Sequence, residues 1–154
     1  MIAFLEFAHG TPMYDRVLPL RNRILREPIG VPFTEADYES ERDHRHFALV
    51  DGDEPLACLI AAPRGVARYQ LRQMAVDERR RGRGLGRMLI ERVEAALRGP
   101  GPVEPGPVEP GPVDLMLHAR SSVVGFYEKL GYAVVGEEFV EVTLPHREMV
   151  KRLT

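Results

Sequence analysis

Residues 79–87 hold five arginines (Arg79, Arg80, Arg81, Arg83 and Arg87) and three glycines (Gly82, Gly84 and Gly86), with no acid among them. Ahead of them Arg68–Asp77 alternates like a strand, with Tyr69, Leu71, Gln73 and Ala75 on one face. Behind them Leu85, Met88, Leu89, Val93, Ala96 and Leu97 repeat at helical spacing. A glycine removes the side chain and lets backbone approach a ligand. The first turn of a helix carries amides without intrahelical partners, and the helix dipole adds partial positive charge there. Strand, glycine turn and helix start therefore make an anion cradle, and the ligand that suits this charge is a diphosphate. The spacing is not Gly-x-Gly-x-x-Gly, because Arg87 stands three residues after Gly84, and no Gly-Lys-Ser/Thr follows.

The elements that must position this cradle can be read along the chain. Met1–Phe7 reads as a strand. Thr11 as N-cap and Pro12 at the first helical position open a helix that carries Val17, Leu20, Ile24 and Leu25. Pro19 kinks or breaks it, and Pro28 and Gly30 end it. Residues 31–45 read as a loop or short helix. His46–Asp51 and Pro55–Ala62 flank a hairpin signal at Asp51-Gly52-Asp53-Glu54. The glycine-led helix runs from about Gly84 to Arg98, with Gly99 as its stop. Val113–Leu117 is a short strand, Ser122–Leu130 a helix closed by Gly131, and Tyr132–Val142 and Thr143–Arg152 two further strands. Helices interleaved with strands, and a hairpin at the end, give an α/β or α+β sheet flanked by helices.

Length and composition bound the reading. The 154 residues suit a single domain, 1–154, interrupted by the Pro-Gly-Pro-Val-Glu repeat at 100–113. Proline bars that stretch from helix interiors and central strands, so it reads as an extended surface insert. Lys+Arg 21 against Asp+Glu 23 gives a net charge of −2, which argues against a nucleic-acid coat. The lone cysteine, Cys58, lies in an apolar run and reads as a small buried hydrophobe. No long apolar stretch or basic leader points to a membrane or to export, so the expected location is cytoplasmic.

Arg81-Gly82-Arg83-Gly84-Leu85-Gly86 resembles the Arg/Gln-x-x-Gly-x-Gly/Ala signature of the GNAT superfamily of acetyl-CoA-dependent N-acetyltransferases. Met74-Ala75-Val76 resembles that family's fourth strand, and Phe126-Tyr127-Glu128-Lys129-Leu130-Gly131-Tyr132 its Phe-Tyr-Glu-Lys-Leu-Gly motif. Gly136-Glu137-Glu138-Phe139 and Pro145-His146-x-x-Met149 resemble a subgroup with a C-terminal Pro-His-x-x-Met. The resemblance implies a single mixed, mostly antiparallel sheet flanked by helices, the acyl-CoA N-acyltransferase fold. It implies acetyl-CoA as co-substrate, no metal, and direct attack by the amine of a small molecule or peptide in a ternary complex. A homodimer is a family-level expectation. The backbone of Arg81, Gly82, Arg83, Gly84, Leu85, Gly86 and Arg87 would hold the diphosphate. Met74, Ala75 and Val76 would pair with the pantetheine arm and polarise the acetyl carbonyl. Tyr127 would protonate the departing thiolate. Arg120 stands where many members carry Asn and would meet a CoA phosphate or a carboxylate.

The acceptor amine must lose a proton before attack, and Glu137, Glu138 and His146 are the candidate bases. The two glutamates are expected on opposite faces of a strand, so that one of them faces the site. Glu35, Asp37, Glu39, Glu41 and Asp43 favour a cationic acceptor. Ser121 and Ser122 read as helix N-caps rather than nucleophiles. His44 and His46 share a strand face without a third metal ligand. The alternative reading is a non-catalytic acetyl-CoA-binding sensor.

Overall fold

The computed structural model describes residues 1–99 and 111–154; residues 100–110, most of the Pro-Gly insert, lie outside the described residues. The strands form a mixed, mostly antiparallel sheet flanked by helices, and the chain divides into two compact units.

The first unit comprises residues 1–62 and 71–90. Its strands are β1 (Ile2–Phe7), β2 (Arg45–Asp51), β3 (Glu54–Pro63) and most of β4 (Arg68–Val76), in that order. β1 pairs antiparallel with β2, from Ile2 opposite Asp51 to Phe7 opposite His46, and β2 with β3 through a turn at Gly52. The runs Phe47–Val50 and Leu56–Ala62 are buried without alternation, because both faces of these strands are covered. Helix α1 (Pro12–Arg21) places Val17 and Leu20 against Ala48, Val50, Cys58 and Ala75. Thr11 is extended as a cap should be, but its hydroxyl donates to the Ala8 carbonyl instead of capping. Pro19 does not break the helix; α1 runs on to Arg21, and the hydrogen-bond ladder then widens into a π-turn over Asn22–Arg26. Helix α2 (Glu35–Glu39) opens on a capping box between Thr34 and Asp37.

A polar network lies under this core. Arg21 and Glu41, each 1% exposed, form a two-pronged ion pair at 2.8 and 2.5 Å, and the Tyr14 hydroxyl donates to the same carboxylate at 3.0 Å. Phe33 covers the guanidinium at 4.8 Å. The His46 ring, fully buried, bonds through Nε2 to the Glu41 carbonyl at 3.0 Å. A buried pair of this kind fixes one arrangement more than it adds stability, since desolvation offsets most of the attraction.

The second unit comprises residues 63–70 and 91–154. Here β5 (Val113–Arg120), β7 (Leu144–Leu153) and β6 (Ala133–Glu141) lie in that order, both pairings antiparallel. Val113, Leu115, Leu117 and Ala119 of β5 are buried with Met149 and Leu153 of β7, while the alternate residues face the other way. Helix α3 (Leu85–Arg98) starts in the first unit and ends in the second. Met88, expected in its apolar stripe, is 37% exposed, and Ile90 is buried instead, which turns the stripe toward Ile90, Val93 and Leu97. Helix α4 (Val124–Lys129) follows a 3-10 turn over Ser121–Val123 and is closed by Gly131 at φ +94. Neither serine caps it: the Ser121 hydroxyl donates to Glu138. Strand β5 runs three residues beyond its expected end at Leu117.

Two predictions follow from this packing. Burial pushes the His46 imidazole down to about 4 from its ordinary 6.5. The unfolded chain takes up a proton as pH falls through 6.5, the folded chain only near 4, so the contribution is fully present above that window and lost within it. Urea unfolding of the wild type is expected to lose about 3 kcal/mol more than His46→Phe across that range; equal slopes would contradict the assignment. The second concerns Val142 and Thr143, which turn between β6 and β7 with φ of +47 and +67. β-Branched residues are strained there, where Asn-Gly is preferred. The double substitution Val142→Asn, Thr143→Gly is expected to raise unfolding stability by about 1–2 kcal/mol, read from the same urea curves.

Candidate functional site

In the first unit the glycine turn is anchored from below. The Asp77 carboxylate, 1% exposed, accepts from the Arg79 backbone amide at 2.9 Å and from its guanidinium at 3.0 and 2.8 Å. The Asp77 amide donates to the Leu56 carbonyl at 2.8 Å. The Arg79 bonds hold the Asp77 carboxyl down at about 2. Not all five arginines line the cradle: Arg79 also reaches Glu54, Arg80 pairs with Glu54, and both are engaged by acids. Arg81, Gly82, Arg83 and Gly84 stand exposed.

Gly82 and Gly84 adopt φ of +80 and +72, a region closed to most side chains, and a Cβ on either would meet nothing within 4 Å. The space beyond them is therefore open to a ligand. Leu85 is buried and pins the start of α3. The helical ladder begins with Met88 donating to the Gly84 carbonyl at 3.0 Å, which leaves the Leu85 and Gly86 amides ahead of it. Just upstream, Gln73 has φ +55 inside β4, next to Met74, Ala75 and Val76. A non-glycine residue in that region marks a local departure from strand geometry of the kind found at binding sites. Met74 and Val76 are half-buried and Ala75 is buried.

In the second unit Tyr127 lies on α4, half-buried, with its ring 5.9 Å from the Tyr132 ring and 5.1 Å from that of Phe126. Loss of solvent pushes its phenol up to about 12. The Tyr132 amide donates to the Tyr127 carbonyl at 3.1 Å, and the Tyr132 hydroxyl donates to Glu94 at 2.8 Å. Lys151 completes this set, 3.0 Å from both Glu94 oxygens and 2.7 Å from the Leu130 carbonyl. Sequence reasoning missed Glu94. Its signal was a carboxylate one turn after Ile90 on the buried side of an amphipathic helix.

The candidate bases separate. Between the pairs Val135–Glu148 and Phe139–His146, Gly136, Glu137 and Glu138 oppose Arg147 alone. This bulge, with Gly136 at φ +73, removes both glutamates from regular alternation, so alternation no longer decides which faces they take. Both are exposed, and Glu138 is held by Ser121. His146, 7% exposed, stands opposite Arg120 on one side and Phe139 on the other. Its Nδ1 lies 2.8 Å from the Leu144 carbonyl, and its Nε2 faces Glu141 Oε2 at 3.8 Å. The other Glu141 oxygen lies 3.1 Å from His118 Nδ1, and His118 Nε2 is 3.6 Å from Glu148. Glu141 and His118 were not expected at this site; only the strand register brings them beside His146.

The acids of residues 35–43 are divided, and Glu35 is exposed. Glu41 is buried against Arg21, Glu39 pairs with Arg42, Asp37 caps α2 and Asp43 lies beside His44. Cys58 is buried, as expected, and burial pushes its thiol up to about 12. Among the described residues no three His, Cys, Asp or Glu side chains are grouped to hold a metal ion, and no helix is long and apolar enough to cross a membrane.

Comparison with known proteins places this architecture. The fold matches the crystal structure of an acyl-CoA N-acyltransferase from Pseudomonas aeruginosa, with a TM-score of 0.79, 21% identity, and 98% and 99% of the two chains covered. An aminoglycoside 6'-N-acetyltransferase complexed with coenzyme A aligns with a TM-score of 0.72, 20% identity, and 97% and 96% coverage. In sequence, the uncharacterized N-acetyltransferase YjcF of Bacillus subtilis is 25% identical over 140 residues, covering 86% of this chain and 87% of the relative. The acetyltransferase (GNAT) domain family matches residues 42–134, more than half of the chain. The chain belongs to the GNAT acetyltransferase family.

Proposed function

We propose that the protein moves an acetyl group from acetyl-CoA to a primary amine by direct attack in a ternary complex. The observation that carries this reading is the open turn at Gly82 and Gly84, with left-handed backbone, vacant space beyond it, and the Leu85 and Gly86 amides ahead of the helical ladder. These features fit a diphosphate, which needs close-set amide donors and positive charge rather than side-chain bulk. Backbone from Arg81 to Arg87 binds it, with the exposed guanidiniums of Arg81 and Arg83 adding charge. Met74, Ala75 and Val76 offer main chain to the pantetheine arm, and an amide there polarises the thioester carbonyl. The aminoglycoside acetyltransferase bound to coenzyme A has the same fold and supports this choice of co-substrate.

In the chemical step the amine nitrogen forms a bond to the carbonyl carbon and the carbon–sulfur bond breaks. The electron pair leaves on sulfur, and the Tyr127 hydroxyl supplies its proton. Burial keeps that phenol protonated throughout the physiological range. A dry surround also raises the basicity of the departing thiolate, which strengthens its pull on the phenolic proton. His146 takes the proton that the amine must lose. Arg120, across the strands from His146, contacts a carboxylate or a CoA phosphate. The acceptor is a small molecule or peptide amine.

Incubation with acetyl-CoA and a panel of primary amines is expected to release free thiol. Tyr127→Phe should lower kcat by about 10- to 100-fold while calorimetric CoA affinity stays within about twofold. No thiol release from any amine, with CoA binding intact, would favour the sensor reading instead.

A further inference from the structure

The arrangement of His118, Glu141, His146 and Glu148 points to how the acceptor is held. All four lie on one face of β5, β6 and β7: His118 is opposite Glu148 in the register, and Glu141 lies two residues beyond Phe139, itself opposite His146. Phe139 separates the two imidazoles, edge-on to His118 at 4.9 Å and stacked on His146 at 6.1 Å.

The proton positions follow from the partners. A carbonyl oxygen only accepts, so His146 Nδ1 carries the hydrogen that meets the Leu144 carbonyl. In the neutral ring Nε2 is then a lone pair, and it faces a second acceptor, Glu141 Oε2, at 3.8 Å. While the ring is neutral, two acceptors at that separation lack a donor between them. A nitrogen about 2.9 Å from each can bridge them from one side of the line that joins them. Meanwhile Glu141 Oε1 accepts from His118 Nδ1 at 3.1 Å, which fixes the carboxylate. The Glu141 side chain is 43% exposed, so an approach to the pair runs from its side. Glu141 and Glu148 outnumber Arg120, the guanidinium opposite His146 on this face.

We infer that Glu141 Oε2 and His146 Nε2 together bind the ammonium group of the acceptor, with His118 as a positioning residue for Glu141. The inference rests on the amine-acetyltransfer reading above and deepens it. One ammonium hydrogen bonds to Glu141 and a second to His146 Nε2. Transfer of the second breaks that N–H bond, leaves the electron pair on the amine nitrogen, and forms an imidazolium that Glu141 stabilises. The two glutamates also set the acceptor class, a primary alkylammonium.

The test uses the full chain with nitrogen-15-labelled histidine at about pH 8, where an alkylamine is still protonated. n-Butylammonium chloride is the probe and n-butanol its uncharged counterpart. The His146 Nε2 resonance is expected to shift with butylammonium and not with butanol. Glu141→Gln should raise the concentration for half the shift about tenfold or more. Equal shifts with butanol, no shift with either, or an unchanged midpoint in Glu141→Gln would overturn the inference. The wild-type contrast needs no variant to fold. A selective shift without thiol release from any amine would keep the ammonium site and reject acetyl transfer; thiol release with an unmoved His146 would do the reverse.

Discussion

The Asp77 carboxylate is the constraint on which the cofactor half of this account depends. It is buried and negative; Arg79 binds it through backbone and side chain together, and the Arg23 guanidinium lies 3.8 Å away. Such charge-assisted bonds are about twice as strong as neutral ones. The short turn they fix leads the chain from the end of β4 into two left-handed glycines. Because Asp77 and Glu54 absorb Arg79 and Arg80, the arginine run is divided. Part of it builds the turn, and the exposed part leaves a positive rim over open backbone.

A similar division holds in the second unit. Glu94 is buried on α3, and its charge is met by Lys151 and the Tyr132 hydroxyl. Tyr132 in turn abuts Tyr127, so an ion pair and a ring contact settle where that phenol lies. On the other face of β5, β7 and β6, Glu141 and Glu148 are exposed while His146 is buried. There Glu141 lies beside both His118 and His146, and Glu148 lies beside His118 from the other side.

Local signals in the sequence were sufficient for most of the elements and for the glycine turn. Glycines at 82, 84 and 131 marked left-handed turns, and the helical stripe after Leu85 located α3 to within a residue. Partnerships between distant residues were not legible. Glu41 read as one acid among several in a loop, yet the fold buries it against Arg21, 20 residues away in sequence. Glu137 and Glu138 read as alternating strand residues because the extra residues of a bulge have no signature beyond Gly136. Glu141 and His118 gained their meaning only from register. Met88 shows the limit of periodicity: a stripe gives the width of an apolar face, not the neighbour it meets.

The most direct test of the central claim is amide hydrogen exchange at Gly82, Gly84, Leu85 and Gly86, measured with coenzyme A and with pantetheine, which lacks the diphosphate. The account predicts slowed exchange at these amides with coenzyme A and little change with pantetheine. Equal protection by both, or none by coenzyme A, would contradict it.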